Sequence, residues 1–342
     1  MSKREVVVIT GASAGVGRAT AQEFGRHGAR VALLARGRAG LDGARRDVER
    51  LGGEALAIPT DVADPAQVES AARKIESKWG AIDIWVNDAM CSVFSPVHEM
   101  KAEEYHRVTD VTYLGSVYGT LSALRRMRPR DRGVIVQVGS ALSYRSIPLQ
   151  SGYCGAKHGL IGFLDSLRCE LHHDRSNVKV CVVQMPALNT PQFSWVRTRL
   201  ARNPQPVPPI FQPEVAARAI YHAAHHPRRE MWVGWPTVEA IVGQKFIPGL
   251  LDRYLGRNGY NSQQHDGPVS PSRRDNLFEP VDDNRDFGAH GDFDRRASYL
   301  SSELKLSILK PWIAAGAAAA LMMIVPLRAR HRDRERNVPM AA

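Results

Sequence analysis

The fold is decided by the stretch Glu5-Val-Val-Val-Ile-Thr10-Gly11-Ala-Ser-Ala-Gly15-Val-Gly17. It opens with an apolar, β-branched run, which is typical of a buried strand, and three glycines follow. Glycines permit a tight turn and a close approach of the backbone, and the start of the following helix offers amide donors to a pyrophosphate. A strand, a glycine loop and a helix in this order predict a dinucleotide-binding turn.

Six more apolar runs recur along the chain, with helical patterns between them. The alternation of strands and helices predicts an α/β fold, a Rossmann-type doubly wound parallel sheet of about seven strands with helices on both faces. The six further predicted strands cover residues 30–36, 56–62, 81–87, 133–139, 178–183 and 230–234.

A second informative stretch covers residues 140–157. Ser140 stands where the strand 133–139 ends, and Tyr153 and Lys157 are four positions apart on one face of the next predicted helix. A neighbouring ammonium favours the phenolate, so the Tyr153 pKa is expected to fall from its usual value and the phenol to deliver a proton. A tyrosine and a lysine at this spacing also occur on ordinary solvated helices, so the assignment depends on the rest of the chain.

Ser140, Tyr153 and Lys157, with the loop pattern Thr10-Gly-x3-Gly-x-Gly17, resemble the short-chain dehydrogenase/reductase family over residues 4 to 250. The resemblance implies an oxidoreductase that interconverts an alcohol and a carbonyl with a nicotinamide cofactor. It also implies the roles of the three residues. Tyr153 is the acid and base, Ser140 fixes the substrate oxygen, and Lys157 lowers the Tyr153 pKa and holds the nicotinamide ribose.

The choice of cofactor depends on the end of the second strand. An acidic residue there is typical of NAD sites and a cation is typical of NADP sites. Arg36 stands at this position, with Arg38 two residues on, so we predict NADP(H). The alternative is that Arg36 merely caps the strand. The resemblance extends the cofactor site to Thr10, Gly11, Ser13, Gly15, Val16, Gly17, Arg36, Asp61, Val62, Asn87, Ala89, Tyr153, Lys157, Pro186, Leu188 and Thr190.

Four residues depart from the family pattern. Asp88 and Met90 stand in Asn87-Asp-Ala-Met90, where the family usually has Asn-Asn-Ala-Gly, and Ala187 replaces a glycine. Thr112 matches the family's fourth catalytic residue, an asparagine, and its hydroxyl also donates and accepts, so we expect it to serve in the proton relay.

Composition excludes several classes of function. The chain has 342 residues and a net charge of +11, but its basic runs carry no interleaved aromatic residues, so we expect no nucleic acid partner. The four cysteines show no metal-ligand spacing, which predicts no metal and fits a reducing compartment. The first residues lead directly into a strand, so no signal peptide is expected.

Residues 193–212 are rich in Pro and Arg and are predicted to form a mobile lid over the substrate. Its apolar members favour a lipophilic small molecule, with ordinary loop packing as the alternative. These members are Phe193, Trp195, Ile210 and Phe211.

The domain organisation follows from changes in composition. We predict a catalytic domain over 1–256, a flexible polar linker over 257–305, a hydrophobic tail helix over 306–327 and a basic tail over 328–342. Four apolar residues of the linker could pin it to the domain: Leu277, Phe278, Phe287 and Phe293.

The segment 306–327 reaches the length of a bilayer-spanning helix and carries Trp312 and Lys310 near its start. It predicts a membrane-spanning or membrane-surface anchor with the catalytic domain on the cytoplasmic side; the alternative is a helix that packs on the domain.

The resemblance also implies a homodimer or homotetramer formed through the helices that carry Thr112 and Tyr153. A competing hypothesis is a membrane-tethered NADP(H)-binding sensor without turnover, which the four departures from the family pattern support. A nucleotide-sugar epimerase or dehydratase is disfavoured, because the region before the linker is short for a sugar-nucleotide domain.

Overall fold

A computed structural model of the protein describes residues 4–301. Its centre is a seven-stranded sheet formed by β1 (Val6–Thr10), β2 (Arg30–Ala35), β3 (Glu54–Pro59), β4 (Ile84–Asn87), β6 (Val134–Val138), β7 (Lys179–Gln184) and β11 (Glu230–Trp232). Every pairing of neighbouring strands in this sheet is parallel, and the strand order is β11-β7-β6-β4-β1-β2-β3. The predicted Rossmann-type sheet of seven strands is confirmed.

The strands form where the sequence predicts them because each is a short apolar run, and the central strands are buried on both faces. All five residues of β1 are buried, and alternate side chains point to opposite faces of the sheet. Ten helices accompany the strands in the described residues: α1 (Gly15–Arg26), α2 (Arg38–Arg50), α3 (Pro65–Trp79), α4 (Ala102–Thr109), α5 (Gly115–Met127), α6 (Ser151–His173), α7 (Gln192–Trp195), α8 (Pro213–His225), α9 (Trp235–Phe246) and α10 (Pro248–Ser262).

The topology of the sheet fixes where a ligand can bind. The chain runs outward from β1 through β2 to β3, then crosses back to β4 on the other side of β1. In doubly wound sheets, ligands bind at the carboxyl ends of the strands where this change of direction occurs. The loops that follow β1, β2, β4, β6 and β7 all open at this edge.

Residues 257–301 differ from the predicted flexible linker. Helix α10 continues through the expected boundary at 256, and two short strands beyond it, β12 (Gln264–Pro268) and β13 (Ala297–Ser298), are paired. Strand β12 pairs with β9 (Arg202–Pro204), and β13 pairs with β10 (Ile210–Phe211), both within the predicted lid. A further two-residue pair joins β5 (Val93–Phe94) to β8 (Arg197–Thr198).

The physical reason for this difference is the few apolar side chains of the segment. Leu277 is fully buried and joins the main core, whereas Phe293 packs with Phe94 and Phe193. Phe278, in contrast, is 43% exposed. The described residues therefore form one compact unit that extends to Ser301, and the predicted lid lies between the sheet and this segment.

The predicted tail helix 306–327 and the basic tail 328–342 lie outside the described residues. Across residues 4–301, no helix combines the length and the apolar character that crossing a bilayer requires.

The docking of residues 257–301 makes a prediction about stability. Replacing the buried Leu277 by alanine should lower the free energy of unfolding by about 3 kcal/mol, because it leaves a cavity in the core. The matched control is Leu300→Ala, at a leucine that is 67% exposed, which should change it by less than about 0.5 kcal/mol. Urea unfolding of both full-length variants measures the difference. Equal effects would mean that the segment is not docked.

Candidate active site

A cavity of about 400 Å³ opens at the carboxyl ends of the central strands. It brings together most of the residues that the sequence predicts for the site, from the six loops that follow β1, β2, β3, β4, β6 and β7 and from helix α6. These residues are Gly11, Ser13, Gly15, Val16, Arg36, Asp61, Val62, Ala89, Ser140, Tyr153, Lys157, Pro186, Leu188 and Thr190.

The glycine loop forms one wall of the cavity and presses against the loop after β4. Gly11 has a φ of +71°, and a β-carbon there would lie 2.8 Å from the Ala89 Cα. Gly17 is also closely packed, since a β-carbon there would lie 2.8 Å from the Asp88 Oδ2. Only glycine fits such positions, so the backbone of the loop can approach a bound ligand closely. The amides at the start of α1 then face the cavity. This shape fits a dinucleotide, as the fold implies.

Thr10 and Asn87 are predicted to bind the cofactor, but in the structure their side chains hold the loop and the helix next to the cavity. The Thr10 hydroxyl accepts hydrogen bonds from the amides of Asp88 and Ala89, at 3.0 and 3.1 Å. The Asn87 side chain accepts from Trp85 at 2.9 Å and donates to the Ser116 carbonyl at 3.2 Å. Among the described residues, neither Thr10 nor Asn87 lines the cavity, and both are buried.

Ser140 and Tyr153 meet inside the cavity. Ser140 follows β6, where its amide donates to the Gln184 side chain at 2.7 Å and its hydroxyl accepts from the Leu142 amide at 3.1 Å. Tyr153 lies in the first turn of α6, and its phenol shares a hydrogen bond with the Ser140 side chain. Two hydroxyls thus face one point of the cavity, where they can hold a carbonyl or alcohol oxygen.

The expected effect of Lys157 on the Tyr153 phenol is not found in this structure. Burial raises the pKa of Tyr153 above its usual value, and the hydrogen bond to Ser140 opposes this only in part. The Lys157 Nζ lies 5.6 Å from the centre of the tyrosine ring and donates to the Val138 carbonyl at 2.7 Å. The phenol is therefore held protonated, because desolvation exceeds the stabilisation of its charged form.

The Asp88 carboxyl interacts electrostatically with Lys157. Both are buried: burial raises the pKa of the Asp88 carboxyl, and the ammonium acts in the opposite direction. Burial likewise lowers the pKa of Lys157, which the carboxylate opposes. The amide of Gly17 also donates to the carboxylate. The departure at position 88 thus introduces an ionisable group into the site, and this group interacts with both the glycine loop and Lys157.

Thr112 does not reach Lys157. It lies in a π-helical turn, Asp110–Leu114, and is fully buried. Its hydroxyl donates to the Cys91 carbonyl at 3.0 Å and accepts from the Cys91 amide at 3.1 Å. The side chain therefore fastens the loop after β4, so its expected part in the proton relay has no contact to support it.

The part of the cavity near Ser140 and Tyr153 is the substrate end. Many side chains that line the cavity are apolar, among them Met90, Ile147, Leu188, Phe193 and Trp195. Two other residues of the predicted lid, Ile210 and Phe211, are buried but pack elsewhere, so they do not line the described cavity. Polar side chains are also present in the lining, including Gln150, Gln192 and Gln205.

Arg36 and Asp61 line the opposite end of the cavity, where the adenosine of a dinucleotide would bind, but both side chains already have hydrogen-bond partners in the protein. The Arg36 guanidinium donates to the carbonyls of Asn276, Leu277 and Phe278, the last at 2.6 Å. The Asp61 carboxylate accepts from Arg107 at 2.7 Å.

Residues of the segment 257–301, here called the C-terminal segment, line part of the site that the sequence does not predict. Asn276, Pro280, Val281 and Asp282 line the adenosine end of the cavity. They lie in a polar stretch with no strand or helix pattern, so its composition indicates a linker. The signal that locates this stretch against the domain is Leu277, an isolated leucine within it.

Comparison with known proteins agrees with this geometry. The family model described as short chain dehydrogenase matches residues 5–200. The uncharacterized oxidoreductase YxnA of Bacillus subtilis is 31% identical over 319 residues, which are 93% of this chain and 90% of that protein. The 3-dehydrosphinganine reductase of Danio rerio is 33% identical over 193 residues, 55% of this chain and 58% of that protein.

Among solved structures, levodione reductase matches with 30% identity and a TM-score of 0.52, over 55% of this chain and 73% of that one. The family match covers more than half of the chain, and the similarity to the Bacillus protein continues through most of the C-terminal segment. This chain belongs to the short-chain dehydrogenase/reductase family.

Proposed function

We propose that the protein is an NADP(H)-dependent oxidoreductase that interconverts an alcohol and a carbonyl on a lipophilic small molecule. The observation that supports this most directly is the meeting of the Ser140 and Tyr153 hydroxyls in the same cavity as the glycine loop. When bound, the nicotinamide supplies or accepts the hydride.

In the reductive direction, the residues of this chain handle the oxygen and its proton. Ser140 and Tyr153 donate hydrogen bonds to the carbonyl oxygen, and the phenol transfers its proton to that oxygen as negative charge develops. The raised pKa of Tyr153 keeps the phenol protonated, which suits a proton donor. The Lys157 Nζ lies 5.6 Å from the centre of the ring; it does not lower the Tyr153 pKa in this structure, and we propose that it stabilises the phenolate once the proton has been transferred.

The preference for NADP(H) is supported by charge. Arg36 ends the second strand region and lines the cavity, where an NAD site usually carries an acidic residue. The guanidinium donates to three backbone carbonyls in this structure, but it keeps its positive charge, and that charge favours a 2′-phosphate.

The lipophilic substrate is supported by the apolar walls that Met90, Phe193 and Trp195 provide. The name of one relative, 3-dehydrosphinganine reductase, also denotes a ketone reduction. Assembly into a homodimer or homotetramer stays a prediction.

The sensor without turnover remains the second candidate, because Asp88 and Thr112 are arranged differently from the family pattern. Asp88 places a carboxylate beside Lys157, and Thr112 has no contact with that lysine. Both features affect the proton relay and leave the cofactor cavity intact.

Turnover and binding separate the two candidates. We expect the protein to oxidise NADPH with a panel of lipophilic ketones and aldehydes, and Tyr153→Phe to reduce the rate at least about 100-fold by removing the proton donor. The fluorescence of bound NADPH should persist in this variant. Binding without turnover of any carbonyl by the unaltered protein would favour the sensor.

The Asp88–Lys157 pair predicts a shift in the pH profile. The Asp88 carboxylate raises the pKa of Lys157, so Asp88→Asn should let the lysine lose its proton at lower pH. The alkaline limb of kcat for carbonyl reduction should therefore move to lower pH, as a pH series measures. Asp266→Asn, at an exposed aspartate on β12, removes the same charge and should leave the limb in place. A shift to higher pH in the Asp88 variant would contradict the pairing.

We also propose that segment 306–327 associates the protein with the cytoplasmic side of a membrane. Its uncharged run and the flanking Lys310 and Trp312 support this. Fractionation should find the full chain with membranes and a chain ending at residue 305 in the supernatant. Equal distribution of the two would remove the anchor.

A further inference from the structure

The segment 276–294, here called the C-terminal strap, crosses the outer rim of the cofactor cavity. Beyond Arg36, it contacts the start of two helices that face the cavity. The amide of Gly15, at the start of α1, donates to the Gly288 carbonyl at 3.2 Å. Arg18, also in α1 and nearly fully buried, forms an ion pair with Asp286. The strap is thus fastened along the cavity.

At the adenosine end, the strap occupies the groups that would otherwise bind an anion. The first amides of α2 meet oxygen atoms of the strap. The Arg38 amide donates to the Asp283 carboxylate at 3.1 Å, and the Ala39 and Gly40 amides donate to strap carbonyls at 3.1 and 3.0 Å. The guanidinium of Arg36 is taken up by three further strap carbonyls. Helix N-termini and arginines are the usual binding groups for phosphate, and here the strap fills them.

The strap also brings a carboxylate to this place. Asp282 is buried, lines the cavity and packs on the backbone of Gly37 and Gly40, where a β-carbon at Gly40 would lie 2.6 Å from its Oδ2. The negative charge of Asp282 stabilises the positive charge of the Arg36 guanidinium. Within residues 4–301, no hydrogen-bond donor meets the Asp282 carboxylate, so its oxygen atoms remain for a ligand in the cavity.

These positions lie just after β2, where a Rossmann-type site reads the 2′ substituent of the adenosine ribose. A carboxylate accepts hydrogen bonds from a ribose hydroxyl, whereas it repels a 2′-phosphate across a cavity of low dielectric. We propose that Asp282 is a specificity-determining residue that opposes Arg36 and weakens binding of NADP(H) relative to NAD(H). The inference rests on the proposed function, and it places the acidic group in the C-terminal strap and not on β2.

The test is calorimetric binding to the full chain, without turnover. The ligands are NADPH, NADH, adenosine 2′,5′-bisphosphate and adenosine 5′-monophosphate. Removing the repulsion with Asp282→Asn should tighten binding of the two 2′-phosphorylated ligands about tenfold. NADH and adenosine 5′-monophosphate should bind no more tightly than before, since they lack the repelled phosphate.

Asp266→Asn is the matched control, because it removes one negative charge at an exposed position outside the cavity lining. It should leave the ratio of the NADPH and NADH dissociation constants unchanged. Asp282→Ser introduces a shorter side chain and should shift the ratio in the same direction as Asp282→Asn. It replaces the Asn variant in the test if the amide disturbs packing. Thermal unfolding checks that each variant is folded.

An unchanged ratio in the folded Asp282 variants would overturn this inference alone, leaving the proposed function in place. If no nucleotide binds the unaltered chain, both fall together.

Discussion

The organisation of the site depends on one hydroxyl group. Thr10, the last residue of β1, accepts hydrogen bonds from two successive amides in the loop after β4. This contact links the carboxyl ends of β1 and β4, the two neighbouring strands at which the strand order of the sheet changes direction. It keeps the glycine loop against Ala89 and fixes Asp88 beside Lys157. The loops after β1 and β4 must stay this close together. Only then can the dinucleotide cavity open beside the hydroxyls of Ser140 and Tyr153.

Three ionisable side chains share the buried floor of the site, and their balance differs from the family pattern. Desolvation favours the neutral forms of Tyr153 and of both members of the Asp88–Lys157 pair. A carboxylate and an ammonium that lack water stabilise one another, so the protonation of each depends on the other. The asparagine usual at position 88 would carry no charge, and Lys157 would then keep its hydrogen bond to the Val138 carbonyl but lose the opposite charge of Asp88.

The sequence predicts the sheet and the centre of the site because both rest on local patterns. Buried strands read as apolar runs, and the loop glycines, Ser140, Tyr153 and Lys157 occupy the ends of elements whose order fixes where they meet. The failures are those of long-range packing. Thr112 matches a catalytic position in the sequence, yet its hydroxyl finds a closer partner in the Cys91 backbone. Arg36 is correctly placed at the cavity, but its three carbonyl partners lie about 240 residues further along the chain.

The burial of Arg18 has a consequence for how far the compact unit extends along the chain. Its guanidinium is held between Asp47 in α2 and Asp286 in the strap. A shortened version that stopped near residue 250, where the family resemblance ends, would strip one carboxylate from a cation enclosed by protein. It would also open the core at the place of Leu277 and release the carbonyls that surround Arg36. The compact unit therefore extends well beyond β11, the last strand of the main sheet, and reaches Ser301.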